Sequence, residues 1–347
     1  MTQIVLIGLD VAKHVFQLHA VAADGHVVFR RQVRRAQLIT LLMSLPHCRV
    51  AMEACGTAHY WGRQLQELGH EVLLIPPDYV KPFVKRQKND AADAEAIAEA
   101  AQRPDMRFVH VKSEASQAAS IVFRARDLVV RQKTQLLNAI RRHLAEFGYI
   151  FSQGAAASAK MQEVIESDDN LPPAAQGILR SLWQHLSSCE AQLTEFDREI
   201  QKRARDDLDA RRLTSVPGIG PVTAAAIAAL APDPATFRKG RDFAAWVGLT
   251  PLERSTGGKQ RFGRISKMGE RTLRRLLIMG ASAVVSWVRR GKIKPSAWLA
   301  SILHRKPPML AIVALANKMA RVAWAILKHG GSYMQPALTN SRAAMKV

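Results

Sequence analysis

The 347-residue chain carries 50 Lys+Arg against 29 Asp+Glu, a formal charge of +21, with 48% hydrophobic residues. That apolar content suffices for two or three cored domains and excludes a disordered basic tail. Cys48, Cys55 and Cys189, with no C-x-x-C pair and no His/Cys cluster, exclude a disulfide framework and a zinc module and point to a reducing cytoplasm.

The opening residues predict three short strands, Ile4 to Asp10, Val15 to Ala22 and His26 to Val33, with an Ala-Asp-Gly hairpin turn between the second and third. They lack the basic start and cleavage site of a signal peptide. A helix at Ala36 to Leu45 leads to a strand "CRVAMEA" with Glu53 at its end. Another helix (Ala58 to Leu68), a strand (Glu71 to Pro77) and the helical run "KNDAADAEAIAEAA" follow. The order βββαβαβα predicts an α/β ribonuclease H-like domain over residues 1–112.

In that fold Asp10 and Glu53 leave adjacent strands at one edge of the sheet, where strand ends and loops converge on a crevice. Asp90 and Asp93, three residues apart on a helix, share a face that can turn toward the same crevice. Four neighbouring carboxylates repel one another unless cations neutralise them. Oxygen donors select hard ions, so Mg²⁺ or Mn²⁺ is expected, two ions flanking a scissile phosphate. The competing reading makes Asp90 a helix cap and Asp93 an acid favoured by the helix dipole.

Residues 113–210 predict long amphipathic helices, about 113–147 and 172–209, with Ile178, Leu182, Leu186, Leu193 and Phe196 near one stripe of the second. An antiparallel hairpin or coiled coil results, and with it a possible dimerisation surface.

From Arg211 onward 24 basic residues face four acids, Asp233, Asp242, Glu253 and Glu270, so nearly all the excess charge lies in residues 211–347. Such asymmetry suggests a polyanion-binding module, most simply for nucleic acid. The segment opens on "SVPGIGPVTAAAIAAL", which reads as a helix-hairpin-helix whose Gly218 and Gly220 let backbone N–H groups approach a phosphate. A plain structural connection fits that motif equally well. The longest apolar run, Leu276 to Val288, is too short to span a bilayer, so no membrane role is expected.

"ERSTGGKQRFGRISKMGERTLRR" places Ser255 beside two glycines among Arg254, Lys259, Arg261, Arg264, Lys267, Arg271, Arg274 and Arg275. These cations suit phosphate contacts better than base reading. By composition the serine segment is an ordinary turn, and Ser266 could cap the helix that follows.

The motifs "GLDVAKHVFQLHA", "AMEACGTAHYW", "QKNDAADAEAIAEA", "SVPGIGPVTAAAIAA", "FAAWVGLTPLERSTGGKQRFGRISKMGERTLRRLL" and "NKMARVAWAILK" follow one another along nearly the whole chain. In that order they resemble the DEDD transposases of the insertion-sequence family numbered one hundred and ten, with a glycine-lysine serine segment like its eleven-eleven subgroup. The resemblance implies a RuvC-like domain with Asp10, Glu53, Asp90 and Asp93 as metal-binding tetrad, and Ser255 as nucleophile forming a phosphoserine link to DNA. It also implies a noncoding bridge or seek RNA as guide, and element and target DNA as substrates.

The expectation is therefore an RNA-guided DNA recombinase, cytoplasmic and nucleoid-associated, acting as a homo-oligomer, dimer or tetramer. Its expected parts are residues 1–112 for the tetrad, 113–210 as helical spacer and 211–347 for the serine. Whether tetrad and serine meet within one chain or between two stays open. The rival readings are a junction nuclease that hydrolyses DNA with the tetrad alone, and a non-catalytic nucleic-acid scaffold.

Overall fold

The computed structural model describes residues 3–85, 90–167 and 170–334. The chain divides into two compact units, Met1–Gln117 and Ala118–Val347.

The first unit is built on a five-stranded sheet. Its strands are β1 (Ile4–Asp10), β2 (Val15–Ala22), β3 (Val27–Arg34), β4 (Arg49–Glu53) and β5 (Glu71–Ile75). Their spatial order is β3-β2-β1-β4-β5. The pairs β1/β2 and β2/β3 are antiparallel, while β1/β4 and β4/β5 are parallel. This is the topology of a ribonuclease H-like sheet. The helices are α1 (Leu38–Met43), α2 (Ala58–Glu67), the single turn α3 (Pro77–Val80) and α4 (Asp90–Ala101). Lys88 and Asn89 of the expected helical run lie outside the described residues.

β1 is central because both of its faces are apolar. Ile7 and Leu9 join Phe16, Leu18, Val50, Met52 and Trp61 on one face, and Leu6 joins Ala51, Ile75, Ala96 and Ile97 on the other. Each fully buried Ile, Leu, Val, Met or Phe among them contributes about 1.5–3 kcal/mol relative to exposure.

Gly8 decides how close α4 comes to β1. A Cβ at position 8 would collide with the Ala94 carbonyl oxygen and stand 2.7 Å from the Ala98 backbone nitrogen. The alanine-rich helix is thin enough to lie directly on the glycine, and Ala94, Ala96, Ile97 and Ala98 are buried there. Asp10 is two residues beyond Gly8 and so projects to the same face of β1. Asp90 is four residues before Ala94 on the helix, so the notch that seats α4 also sets its acids against Asp10. Gly8→Ala should push the helix outward, lowering stability by about 1–3 kcal/mol through overpacking. Because a displacement of about 1 Å can cost on the order of a hundredfold in rate, DNA cleavage should fall by that much. Urea unfolding and cleavage rates check the pair of effects.

The second unit is helical. α5 (Glu114–Ala145) begins in the first unit and continues into the second, followed by α6 (Ala155–Ser167) and α7 (Pro173–Asp206). Arg126–Asp197 (2.6 Å) and Lys133–Glu190 (2.8 Å) link α5 to α7. At the far end Ile140, Leu144, Met161, Ile165, Leu179, Trp183 and Leu186 make a small core. The helix α6 lies in the interval between the two helices expected at about 113–147 and 172–209, where the sequence predicts no element. Of the stripe expected on α7, Leu186 is buried and Leu182 packs against the core, while Ile178 is 65% exposed; Leu179, Trp183 and Cys189 complete the buried face. Trp183 and the packing of α6 select that face, and neither is visible in a periodicity built on leucines alone.

Next come α8 (Leu208–Leu213), α9 (Pro221–Leu230), α10 (Gly240–Trp246), the ribbon β6 (Pro251–Glu253) and β7 (Phe262–Ile265), α11 (Arg271–Arg289), α12 (Ala297–Arg305) and α13 (Pro308–His329). Phe123 of α5 and Ile200 and Ala204 of α7 share one core with Ile219, Ile227, Phe243, Leu273, Leu277 and Met319. The helical segment expected at 113–210 thus roots in the same core as the basic segment. Among the described residues α13, not the run Leu276 to Val288, is long and apolar enough to cross a membrane. Its Ile312, Ala316, Met319, Ala320 and Ala323 are nonetheless core residues of this unit.

Candidate active site

Asp10 is the last residue of β1 and Glu53 the last of the neighbouring parallel β4. Asp90 and Asp93 lie in the first turn of α4. Carboxylate oxygens of Asp10, Asp90 and Asp93 all fall within 4.8 Å of one another. Glu53 stands outside that trio but within electrostatic reach. Burial and then the charge of Asp93 push its carboxyl above the usual range. Asp10 is raised to about 6, first by burial and then by Asp93, Asp90 and Glu53. The four residues named from sequence are therefore one electrostatic group.

Their neighbours sharpen the contrast. Glu95 pairs with Lys85 at 2.6 Å and Arg30 at 3.4 Å, and Glu99 pairs with Arg103 at 2.7 Å. Among the described residues no Lys or Arg forms an ion pair with Asp10, Glu53, Asp90 or Asp93. A half-buried group of unneutralised carboxylates is costly, and an oxygen-only donor set suits a hard divalent cation. Burial, and then the charges of Glu53 and Asp10, push the Cys55 thiol above its usual range.

Ser255 belongs to the second unit, on an exposed two-stranded ribbon. The Arg254 N–H donates to the Arg261 carbonyl at 2.8 Å, and Thr256 bridges Lys259 around Gly257 (φ 56°) and Gly258 (φ 75°). Two consecutive positive φ values are what a tight hairpin turn demands, which explains the glycine pair. The Ser255 hydroxyl donates to Glu253 Oε1 at 2.7 Å. Ser266 does not cap α11. Glu270 does so by accepting from the Thr272 N–H at 3.1 Å.

The expected phosphate contacts separate into two groups. Arg254, Lys259, Arg261, Arg264, Lys267 and Arg271 are exposed. Arg274 instead donates from Nη1 to the carbonyls of Val247 (2.8 Å) and Met268 (2.7 Å), and burial lowers its pKa. Arg275 pairs with Asp127. Both guanidinium groups hold the fold together, because α11 turns them inward against α5 and the loops flanking the ribbon.

The glycines of the turn between α8 and α9 also differ. Gly218 has φ +92°, and its carbonyl lies so near Gly280 of α11 that a Cβ there would strike it. Packing accounts for the glycine at 218. Gly220 opens α9 with free space where a Cβ would stand.

Known proteins match both parts of this arrangement. Residues 7–148 match the IS110-type DEDD transposase family, described as "Transposase". Residues 210–294 match the family described as "Transposase IS116/IS110/IS902 family". A "Probable family 20 transposase" of Pseudomonas aeruginosa is 50% identical over 330 residues, covering 94% of this chain and 98% of the relative. The chain belongs to the IS110 family of transposases. The transposase for insertion sequence element IS1328 of Yersinia enterocolitica is 39% identical (95% of this chain, 98% of the relative). That for IS1111A of Coxiella burnetii is 37% identical (96% and 92%). This transposase is accordingly an enzyme that breaks and rejoins DNA.

Proposed function

We propose that this transposase is an RNA-guided recombinase in which Asp10, Glu53, Asp90 and Asp93 hold Mg²⁺ or Mn²⁺ and Ser255 is the nucleophile. The observation that carries the reading is the cluster of carboxylates at the edge of the sheet, which among the described residues has no Lys or Arg partner. Bound there, a divalent ion supplies charge stabilisation to the phosphodiester under attack. Ser255 attacks the phosphorus, stores the bond energy as a phosphoserine ester and leaves a free 3′-hydroxyl for rejoining.

The six exposed cations on and beside the ribbon hold phosphates rather than read bases, consistent with sequence choice being delegated to a guide RNA. Guidance itself rests on the family resemblance. The turn ending at Gly220 presents the N-terminus of α9 as a helix-hairpin-helix phosphate contact. Residues 113–210 serve as spacer between tetrad and serine. Exposed Ile121 (63%), Leu128 (49%) and Ile178 (65%) on α5 and α7 suit a second copy of the chain in a dimer or tetramer.

The test is to purify the full chain from cells carrying the whole element, sequence the RNA retained, and incubate the complex with matching DNA with and without Mg²⁺. A specific noncoding RNA and Mg²⁺-dependent covalent capture are expected. Capture without any retained RNA would remove guidance and leave recombination.

A further inference from the structure

Glu253 is singular among the acids of the basic segment. Of the four in residues 211–347, Asp233 accepts from the Ala235 N–H at 2.8 Å, Glu270 accepts from the Thr272 N–H, and Asp242 lies in the first turn of α10. Those three satisfy helix N-termini and need no further role. Glu253 alone is on a strand, the exposed β6, where it stabilises no helix and fills no core.

Its surroundings would ordinarily supply an ion pair. Arg254 and Arg261 are within the same ribbon, Lys259 is at the turn and Arg264 is on β7. Yet among the described residues Glu253 forms no ion pair, and its carboxylate oxygen instead accepts the hydroxyl proton of Ser255 at 2.7 Å. Ser255 follows the end of β6 by two residues, and its hydrogen bond to Glu253 holds the two side chains together on the ribbon. The distance is within the reach required of a base acting on that proton. A serine hydroxyl is a weak nucleophile until such a partner accepts its proton.

We infer that Glu253 is the general base for Ser255, a role that rests on the reading of Ser255 as nucleophile. As the Oγ–P bond forms, the hydroxyl proton passes to Glu253 Oε1. The P–O3′ bond breaks, its electron pair stays on O3′, and O3′ takes a proton from water to become the free hydroxyl. In rejoining, O3′ gives up its proton to water and attacks phosphorus, and Glu253 returns its proton to the departing Oγ. The basic side chains on either side keep the phosphate in place while the single carboxylate handles the proton.

The experiment uses the full chain with its co-purified RNA and a supercoiled plasmid carrying the element's abutted ends, measuring the single-turnover rate of covalent DNA attachment at saturating DNA. Glu253→Gln should lower that rate by about a hundredfold or more, the range of general-base loss, with the Kd for DNA and the Tm unchanged. Glu253→Ala should behave likewise and recover rate on addition of formate or acetate, but not of chloride at equal ionic strength. That recovery separates proton transfer from a merely structural contact, since the exposed ribbon admits a small carboxylate. A Glu253→Gln rate within threefold of the parent, or a loss traced wholly to weaker DNA binding, would overturn the inference while Ser255 kept its role. Covalent attachment persisting in Ser255→Ala would instead remove the nucleophile, and with it any base acting on it.

Discussion

Asp10→Asn should abolish strand cleavage and, in metal-free buffer at pH 7, make the protein more stable. Asp10 is raised to about 6 by burial and by three neighbouring carboxylates. A carboxyl with a folded pKa above its unfolded value near 3.8 contributes stability that is fully present below about pH 4. That contribution is lost as pH rises through about 6, so at neutral pH the charged group opposes folding. Glu53, raised in the same direction, adds to the effect. Asparagine removes the charge at nearly constant shape. After discounting for solvent screening at a partly exposed site, a gain of about 1–2 kcal/mol is expected, read as a higher urea midpoint. The difference between parent and variant should vanish below pH 4.

The same substitution removes an oxygen donor to the cation. A loss on the order of a thousandfold in cleavage follows, comparable to deleting a group that stabilises transition-state charge. Mg²⁺ should raise the Tm of the parent by mass action and that of Asp10→Asn much less. Thermal scans across pH and Mg²⁺ concentration check all three statements. A non-catalytic nucleic-acid scaffold would show the stability gain and lose no activity.

Ser255→Ala should be the second total loss, of a different kind. Ser255 is exposed on the ribbon, so the Tm should stay within about 1 °C of the parent, as expected for a surface change worth under 0.5 kcal/mol. Covalent attachment should disappear, and cleavage should drop to the background of the uncatalysed solution reaction because the attacking hydroxyl is gone. A nuclease that hydrolyses with the tetrad alone would keep cleavage and never form the adduct. Cleavage gels run with and without protease treatment distinguish the two, since protease sharpens only bands carrying protein.

Much of the first unit was legible in sequence because its signals are local. Short apolar runs mark β1, β2 and β4, and Asp10, Glu53, Asp90 and Asp93 stand at or near element ends where side chains leave the core. Gly8 was not legible as a determinant. A glycine within a strand says that something comes close, but only the tertiary packing names Ala94 and Ala98. In the second unit the lengths of α5 and α7 were visible in their polar and apolar spacing, while the buried face of α7 was set by Trp183 and by the unforeseen α6. The ribbon was hidden because β6 and β7 are three and four residues long and mostly exposed, leaving no periodicity to read. Its acid at position 253, two before the serine in a segment nearly devoid of acids, was the available signal. Arg274 and Arg275 looked like surface cations because a helix carries no mark of which arginine will turn inward.

The stretch of α4 beginning at Asp90 joins these observations. Its alanines make it thin enough to rest on Gly8, its later acids Glu95 and Glu99 are paired with cations, and its first two acids gather with Asp10 with no ion pair among the described residues. An alanine-rich acidic helix in a basic protein is thus a consequence of close packing at one end of a sheet.

The most direct measurement is to incubate the transposase–RNA complex with DNA and Mg²⁺, digest the covalent product with nuclease and protease, and sequence the nucleotide-bearing peptide by mass spectrometry. The nucleotide should be found on Ser255 in the parent, and no such peptide should form with Asp10→Asn. A nucleotide on any other residue, or cleaved DNA with no adduct at all, would contradict the pairing of a carboxylate metal site with a serine nucleophile.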